Sequence, residues 1–170
     1  MKLTSAMASK MIKALNEENQ TLIRKRSHES TTSYVQDETP MASDYDFNSL
    51  HEQIVANNKK IAKIRHAVNL FNTTTVLEGF EDYDGSGLTI DKALIIMPML
   101  SSAKSAYAEM KDAKDISRRA DYKGNIEFTK LNYLTSDVAL AYQKVTELLT
   151  AIQLSLDKAN LTVEFEVDLT

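Results

Sequence analysis

Between Phe47 and Phe71, eight positions follow one another at spacings that alternate three and four without a slip: Phe47, Leu50, Ile54, Asn57, Ile61, Ile64, Val68 and Phe71. A seam of this kind runs along one side of an α-helix and is buried by packing lengthwise against another helix. A helix over residues 46–72 is roughly 40 Å long at 1.5 Å per residue, more than a compact globule covers, so the seam demands an equally long partner. Asn57 is its one polar member. A polar residue there fixes register and partner number at some cost in stability; the functional alternative is contact with a ligand inside a multichain bundle.

Three further segments carry the helical period. Residues 5–26 place Met7, Met11, Ile12, Leu15, Leu22 and Ile23 on one broad stripe, with Thr4 as N-cap. Residues 90–116 carry Ala93, Ile96, Leu100, Ala103, Tyr107 and Met110, capped by Thr89, and Pro98 inside the segment predicts a kink. Residues 136–159 carry Val138, Ala141, Val145, Leu148, Ile152 and Ala159, widened by Tyr142, Leu149 and Leu156. The expected fold is therefore mainly α, with four long amphipathic helices in antiparallel coiled-coil-like hairpins or a bundle.

The period is lost in a polar loop over 27–45. It changes again over about 75–90, where Asp84-Gly85-Ser86-Gly87 lies between Val76, Leu77, Phe80 and Leu88, Ile90 and predicts a β-hairpin. The β-branched and aromatic run over 126–133 predicts a strand after a polar connection at 117–124. At the far end Val163, Phe165, Val167 and Leu169 alternate with acidic residues, the pattern of a strand with one buried face. Such a strand needs a sheet, supplied by the hairpin or by a neighbouring subunit. A chain of 170 residues is sized for a single domain, 1–170.

Composition narrows the chemistry. Without cysteine there is neither a disulfide framework nor a Cys-based metal site, which fits a cytoplasmic setting. The net charge of −4 argues against nonspecific nucleic-acid binding, which needs an excess of Lys and Arg. The basic runs Arg24-Lys25-Arg26 and Lys59, Lys60, Lys63, Arg65 read as solvated helix faces. The longest apolar run, 93–100, is far below the ~20 residues that span a bilayer, so no membrane partner is expected. His28, His51 and His66 have none of the spacings of zinc or di-iron sites, and four glycines leave no phosphate-cradling loop. No catalytic residue, metal or cofactor is expected.

Two constellations remain. Asp82-Tyr83-Asp84-Gly85-Ser86-Gly87 matches the first half of an EF-hand loop, but the twelfth position, where a bidentate Glu completes the calcium shell, is Ala93. Calcium binding is not expected. The second comprises Arg65, His66, Asn69, Asn72 and Thr73 at the end of the second helix, and Ser117, Arg118, Arg119, Tyr122 and Lys123 after the third. Guanidinium, amide and phenol groups suit an anionic or nucleotide-like ligand if oligomerisation brings them together; otherwise they cap helix ends and pair ions at the surface.

The helix ending Lys-Ile-Arg-His-Ala-Val-Asn-Leu-Phe-Asn-Thr-Thr-Thr, the turn leading into Leu-Thr-Ile-Asp-Lys-Ala-Leu, and the closing segment from Ile152 to Leu169 together resemble a family of small bacterial and phage helical proteins, some labelled septicolysin-like. That resemblance implies a helical fold and supplies no family active site. The functional expectation is a non-enzymatic homo-oligomeric scaffold or interaction protein. The alternatives are an oligomer that sequesters a small anionic ligand between subunits and, last, an enzyme of unrecognised arrangement.

Overall fold

The computed structural model describes residues 1–169. Its elements are β1 (Lys2–Thr4), α1 (Ser5–Glu29), α2 (Phe47–Thr74), α3 (Ile90–Lys111), β2 (Ile116–Ala120), β3 (Ile126–Lys130), α4 (Thr135–Thr162) and β4 (Glu164–Glu166), with a 3-10 turn at Tyr83–Gly85 before α3. The protein is mainly helical, with two small antiparallel sheets, as the periodicities predict. The chain divides into two compact units where its length suggests one domain: Met1–Asn72 with Asn160–Thr170, and Thr73–Ala159. Within each unit the secondary structure packs around its own set of buried side chains.

In the first unit, Thr4 accepts a hydrogen bond from the Met7 amide at 3.3 Å and starts α1. Asp46 starts α2 in the same way, its carboxylate accepting from the Asn48 and Ser49 amides at 2.9 and 3.2 Å. Along α2 the predicted seam is the buried face: Leu50, Asn57, Ile61, Ile64 and Phe71 are buried, and Ile54 and Val68 half-buried. Phe47 departs from it. It is half-exposed and stacks on His51 one turn later, with ring centroids 5.7 Å apart.

Leu3, Ala8, Ile64 and Val167 form the core, with Met11, Ile12, Leu15, Ala67, Val68 and Phe165 packed around them. Residue 8 of α1 therefore lies near 64–68 of α2, while farther along Asn19 Nδ2 donates to Asn58 Oδ1 at 3.0 Å, so the two helices are antiparallel. The α1 stripe is rotated slightly from expectation: Ala8 and Asn19 are buried, whereas Met7 and Ile23 are exposed. A small residue at position 8 lets α1 come close to Ile64.

The terminal strand finds its partner within the chain. β4 pairs antiparallel with β1, a strand too short to carry a periodic signal, in the register Lys2 to Glu166, Leu3 to Phe165 and Thr4 to Glu164. Leu3 and Val167 are thereby buried, and Phe165 packs on Phe71 with centroids 4.8 Å apart.

In the second unit two expectations are corrected. The hairpin foreseen at 75–90 is a single bridge, Val76 to Thr89, closing a turn-rich loop. A regular ladder cannot form because Leu88 donates to the Phe80 carbonyl and Phe80 to that of Leu77, folding the segment back on itself. The true hairpin lies farther on. α3 ends at Lys111 rather than near 116, and residues 116–120, read as the end of a helix and a polar connection, form the strand that pairs with β3.

Thr89 caps α3 through a 3.3 Å bond from the Lys92 amide, and the helix runs unbroken through Pro98. Near its end Lys104 and Lys111 lie over the Tyr142 ring of α4, 5.8 and 5.3 Å from the centroid, and Tyr133 donates to the Met110 carbonyl at 3.2 Å. At the other end of α4, Ser155 donates to the Glu78 carbonyl at 3.0 Å and Lys158 pairs with the Glu78 carboxylate. α3 and α4 are thus antiparallel. Leu77, Leu88, Ile90 and Ala93 at the start of α3, and Ile152, Leu156 and Ala159 on α4, are the buried side chains of this unit.

Candidate interaction surfaces

The loop over Asp82–Gly87 tests the half EF-hand directly. Asp84 sits in the left-handed region at φ 52°, and Gly87 at φ 77°. A Cβ at Gly87 would lie 2.9 Å from Val76 Cγ1 and 3.1 Å from the Glu81 carbonyl oxygen, so glycine is required there. Lys92 turns back from the first turn of α3 and donates to Ser86 Oγ at 2.7 Å and to the Gly87 carbonyl at 3.2 Å. A tethered ammonium therefore occupies the oxygen donors around the fifth and sixth loop positions. Among the described residues no group of three or more His, Cys, Asp or Glu side chains converges as a metal site. Glu81 accepts from the Gly79 amide at 3.0 Å, and backbone hydrogen bonds, chiefly its own and then that of Gly79, hold its carboxyl below the usual range.

The residues proposed for an anionic ligand fall in different units. Arg65, His66 and Asn69 are exposed on α2 and Asn72 is half-buried near its end. Arg118 and Arg119 are exposed on β2, and Tyr122 stands in the turn at 91% exposure, with Lys123 Nζ 5.4 Å from its ring centroid. Successive strand residues point to opposite faces, so Arg118 and Arg119 do not converge on one ligand from one side of the hairpin.

That hairpin is shaped by its turn. The Asp121 carboxylate accepts from the amides of Lys123 and Asn125 at 2.8 and 2.7 Å and from Asn125 Nδ2 at 2.9 Å. These bonds, led by the Asn125 side chain, hold its carboxyl below the usual range. Beyond the turn the register pairs Ile116 with Lys130, Arg118 with Phe128 and Ala120 with Ile126 on one face, and Ser117 with Thr129 and Arg119 with Glu127 on the other. The first face carries Ile116, Ile126 and Phe128 at 59, 48 and 68% exposure. Every residue of both strands is exposed. Sequence reasoning foresaw the second strand in the run over 126–133 but missed the first, because Ser117 to Gly124 is polar apart from Ala120, and the Asp-x-x-Gly-Asn turn at 121–125 was the remaining signal of a hairpin.

No protein-family model matches the sequence, and no curated protein matches it. In structure the chain is similar to a crystal structure described as that of a functionally unknown conserved protein from Corynebacterium diphtheriae, with a TM-score of 0.54 and 13% identity, covering 98% of this chain and 100% of that one. That likeness is one of fold.

Proposed function

We propose that the chain is a non-enzymatic, homo-oligomeric helical interaction protein. The observation that carries this is the hairpin β2–β3. A lone two-stranded hairpin is marginal in water and gains stability when a third strand or a packed element covers its apolar face. Here Ile116, Ile126 and Phe128 share one face with no covering element among the described residues. Another copy of the chain supplies the cover. Sedimentation velocity on the full chain tests this: assembly should be concentration dependent, and Phe128→Ser should weaken it by about tenfold, the effect of losing one buried aromatic anchor. A chain that stays monomeric up to about 100 µM, where even weak specific association registers, refutes it.

A second reading, capture of a small anionic molecule, is favoured by one feature. Among the described residues Arg65, Arg118 and Arg119 have no carboxylate partner. A nucleotide thermal-shift screen should then show stabilisation that Arg118→Ala abolishes, because a ligand that binds only the folded state raises its stability by mass action. A flat screen retires this reading.

A further inference from the structure

α3 carries two seams, and among the described residues only the inner one is covered. The inner seam, Ala93, Ile96, Leu100, Ala103, Tyr107 and Met110, is buried or half-buried. A second set, Lys92, Ile95, Met99, Ser102, Ala106 and Glu109, also steps three, four, three, four, three, and every member is exposed, Ile95 at 60% and Met99 at 67%. Between its two ends this outer seam bears no charge, although a solvated helix face ordinarily does. The whole helix is apolar on more than one side, as is usual for a helix covered all round.

The order of residues identifies what covers it. The seam is bulky in its first half and small in its second, with a cation at the start and an anion at the end. Reversed and laid on itself about a point between Leu100 and Ser101, it pairs Ile95 with Ala106, Met99 with Ser102 and Lys92 with Glu109, each pair occurring twice as a two-fold axis requires. Large meets small at both inner pairs, and opposite charges meet at both ends. A parallel pairing would set Met99 against Met99 and Glu109 against Glu109.

We infer that α3 is the antiparallel dimerisation helix of this protein, with a second copy of the same helix as its partner; the inference rests on the self-associating function proposed above and names one of its interfaces. Lys92 spends two of its three N–H donors on Ser86 and Gly87, which leaves one for the partner's carboxylate. The seam is about 26 Å long and a helix about 10 Å wide, so it covers roughly 260 Å² per partner against the ~800 Å² of a standard interface, and the dimer is a weak one.

The experiment uses the full chain, which has no native cysteine. Ile95→Cys/Ala106→Cys places two thiols about 16 Å apart on one helix, too far to close within a chain, but opposite each other across the two-fold. Mild oxidation should give a covalent dimer for this double variant and for neither single variant. In sedimentation, Met99→Lys and Glu109→Lys should each weaken association, by about tenfold for Met99, which the dimer would bury; circular dichroism confirms that these substitutions at exposed positions leave the helices intact. Should the wild type be monomeric throughout, self-association and this interface fail together. Should it assemble, yet neither cross-link through 95 and 106 nor respond to Met99→Lys, the interface on α3 is wrong while self-association stands.

Discussion

Replacing Gly87 and Gly85 by alanine, one at a time, isolates what the loop before α3 requires. Both glycines have positive φ, 77° and 68°, so each alanine incurs the left-handed penalty of roughly 1–2 kcal/mol. Each also recovers about 0.4–1 kcal/mol by stiffening the unfolded chain. At Gly85 nothing lies within 4 Å of the added methyl, and the net cost should be near 1 kcal/mol. At Gly87 the methyl meets Val76 Cγ1 at 2.9 Å and the Glu81 carbonyl oxygen at 3.1 Å. Val76 is β-branched and turns stiffly, and the carbonyl is backbone, so overpacking adds about 1–3 kcal/mol. Urea denaturation followed by circular dichroism should therefore separate the two variants by about 1–3 kcal/mol, with Gly87→Ala the less stable. Equal costs would show that the Val76 to Thr89 bridge gives way without resistance and that glycine is not required at position 87.

Ile64→Ala, at the fully buried centre of the first unit, should cost about 2–5 kcal/mol in the same assay. Asn57→Leu removes a buried amide whose Nδ2 meets no protein acceptor, and should raise stability by about 1–2 kcal/mol; a loss would show that the amide holds the α1 to α2 register. The turn at Asp121 should respond to acid. Its carboxyl is depressed in the folded state, so its contribution is complete above the unfolded value of about 3.9 and fades as pH falls through the lower folded value. The amide resonances of Lys123 and Asn125 should shift over that acid window in the wild type and not in Asp121→Ala.

Much of the helical fold was legible because long repeats average out local accidents. The seams over 47–71 and 138–159 predicted the buried faces of α2 and α4 nearly residue by residue, and Thr4 and Thr89 marked helix starts by cap chemistry alone. The short elements were harder, because three to five residues give period two almost no statistics. β1 is invisible in Lys2-Leu3-Thr4 without β4 beside it, and the Asp-Gly-Ser-Gly run over 84–87 looks like a hairpin turn until Lys92 and Phe80 tie it into a closed loop. The outer seam of α3 was overlooked for a different reason. Once Ala93, Ile96 and Leu100 account for a helix's apolar period, neighbouring Ile95 and Met99 give no separate signal, and only their exposure separates the two sets.

The two apolar surfaces of the second unit have consequences for size as well as for contact. An isologous interface satisfies both partners at once and stops at the dimer. If α3 were the only self-complementary face, assembly would end there and the hairpin would stay open to water. With the hairpin face as a second, separate contact, each dimer keeps two unsatisfied hairpins, and growth continues until a closed ring or a dihedral particle uses them all. Even-numbered assemblies larger than two then follow. Disabling one face at a time should leave different residues: Phe128→Ser should halt growth at the α3 dimer, whereas Met99→Lys should leave particles joined through hairpins alone. A single species lost equally with either substitution would mean that the two surfaces form one continuous interface.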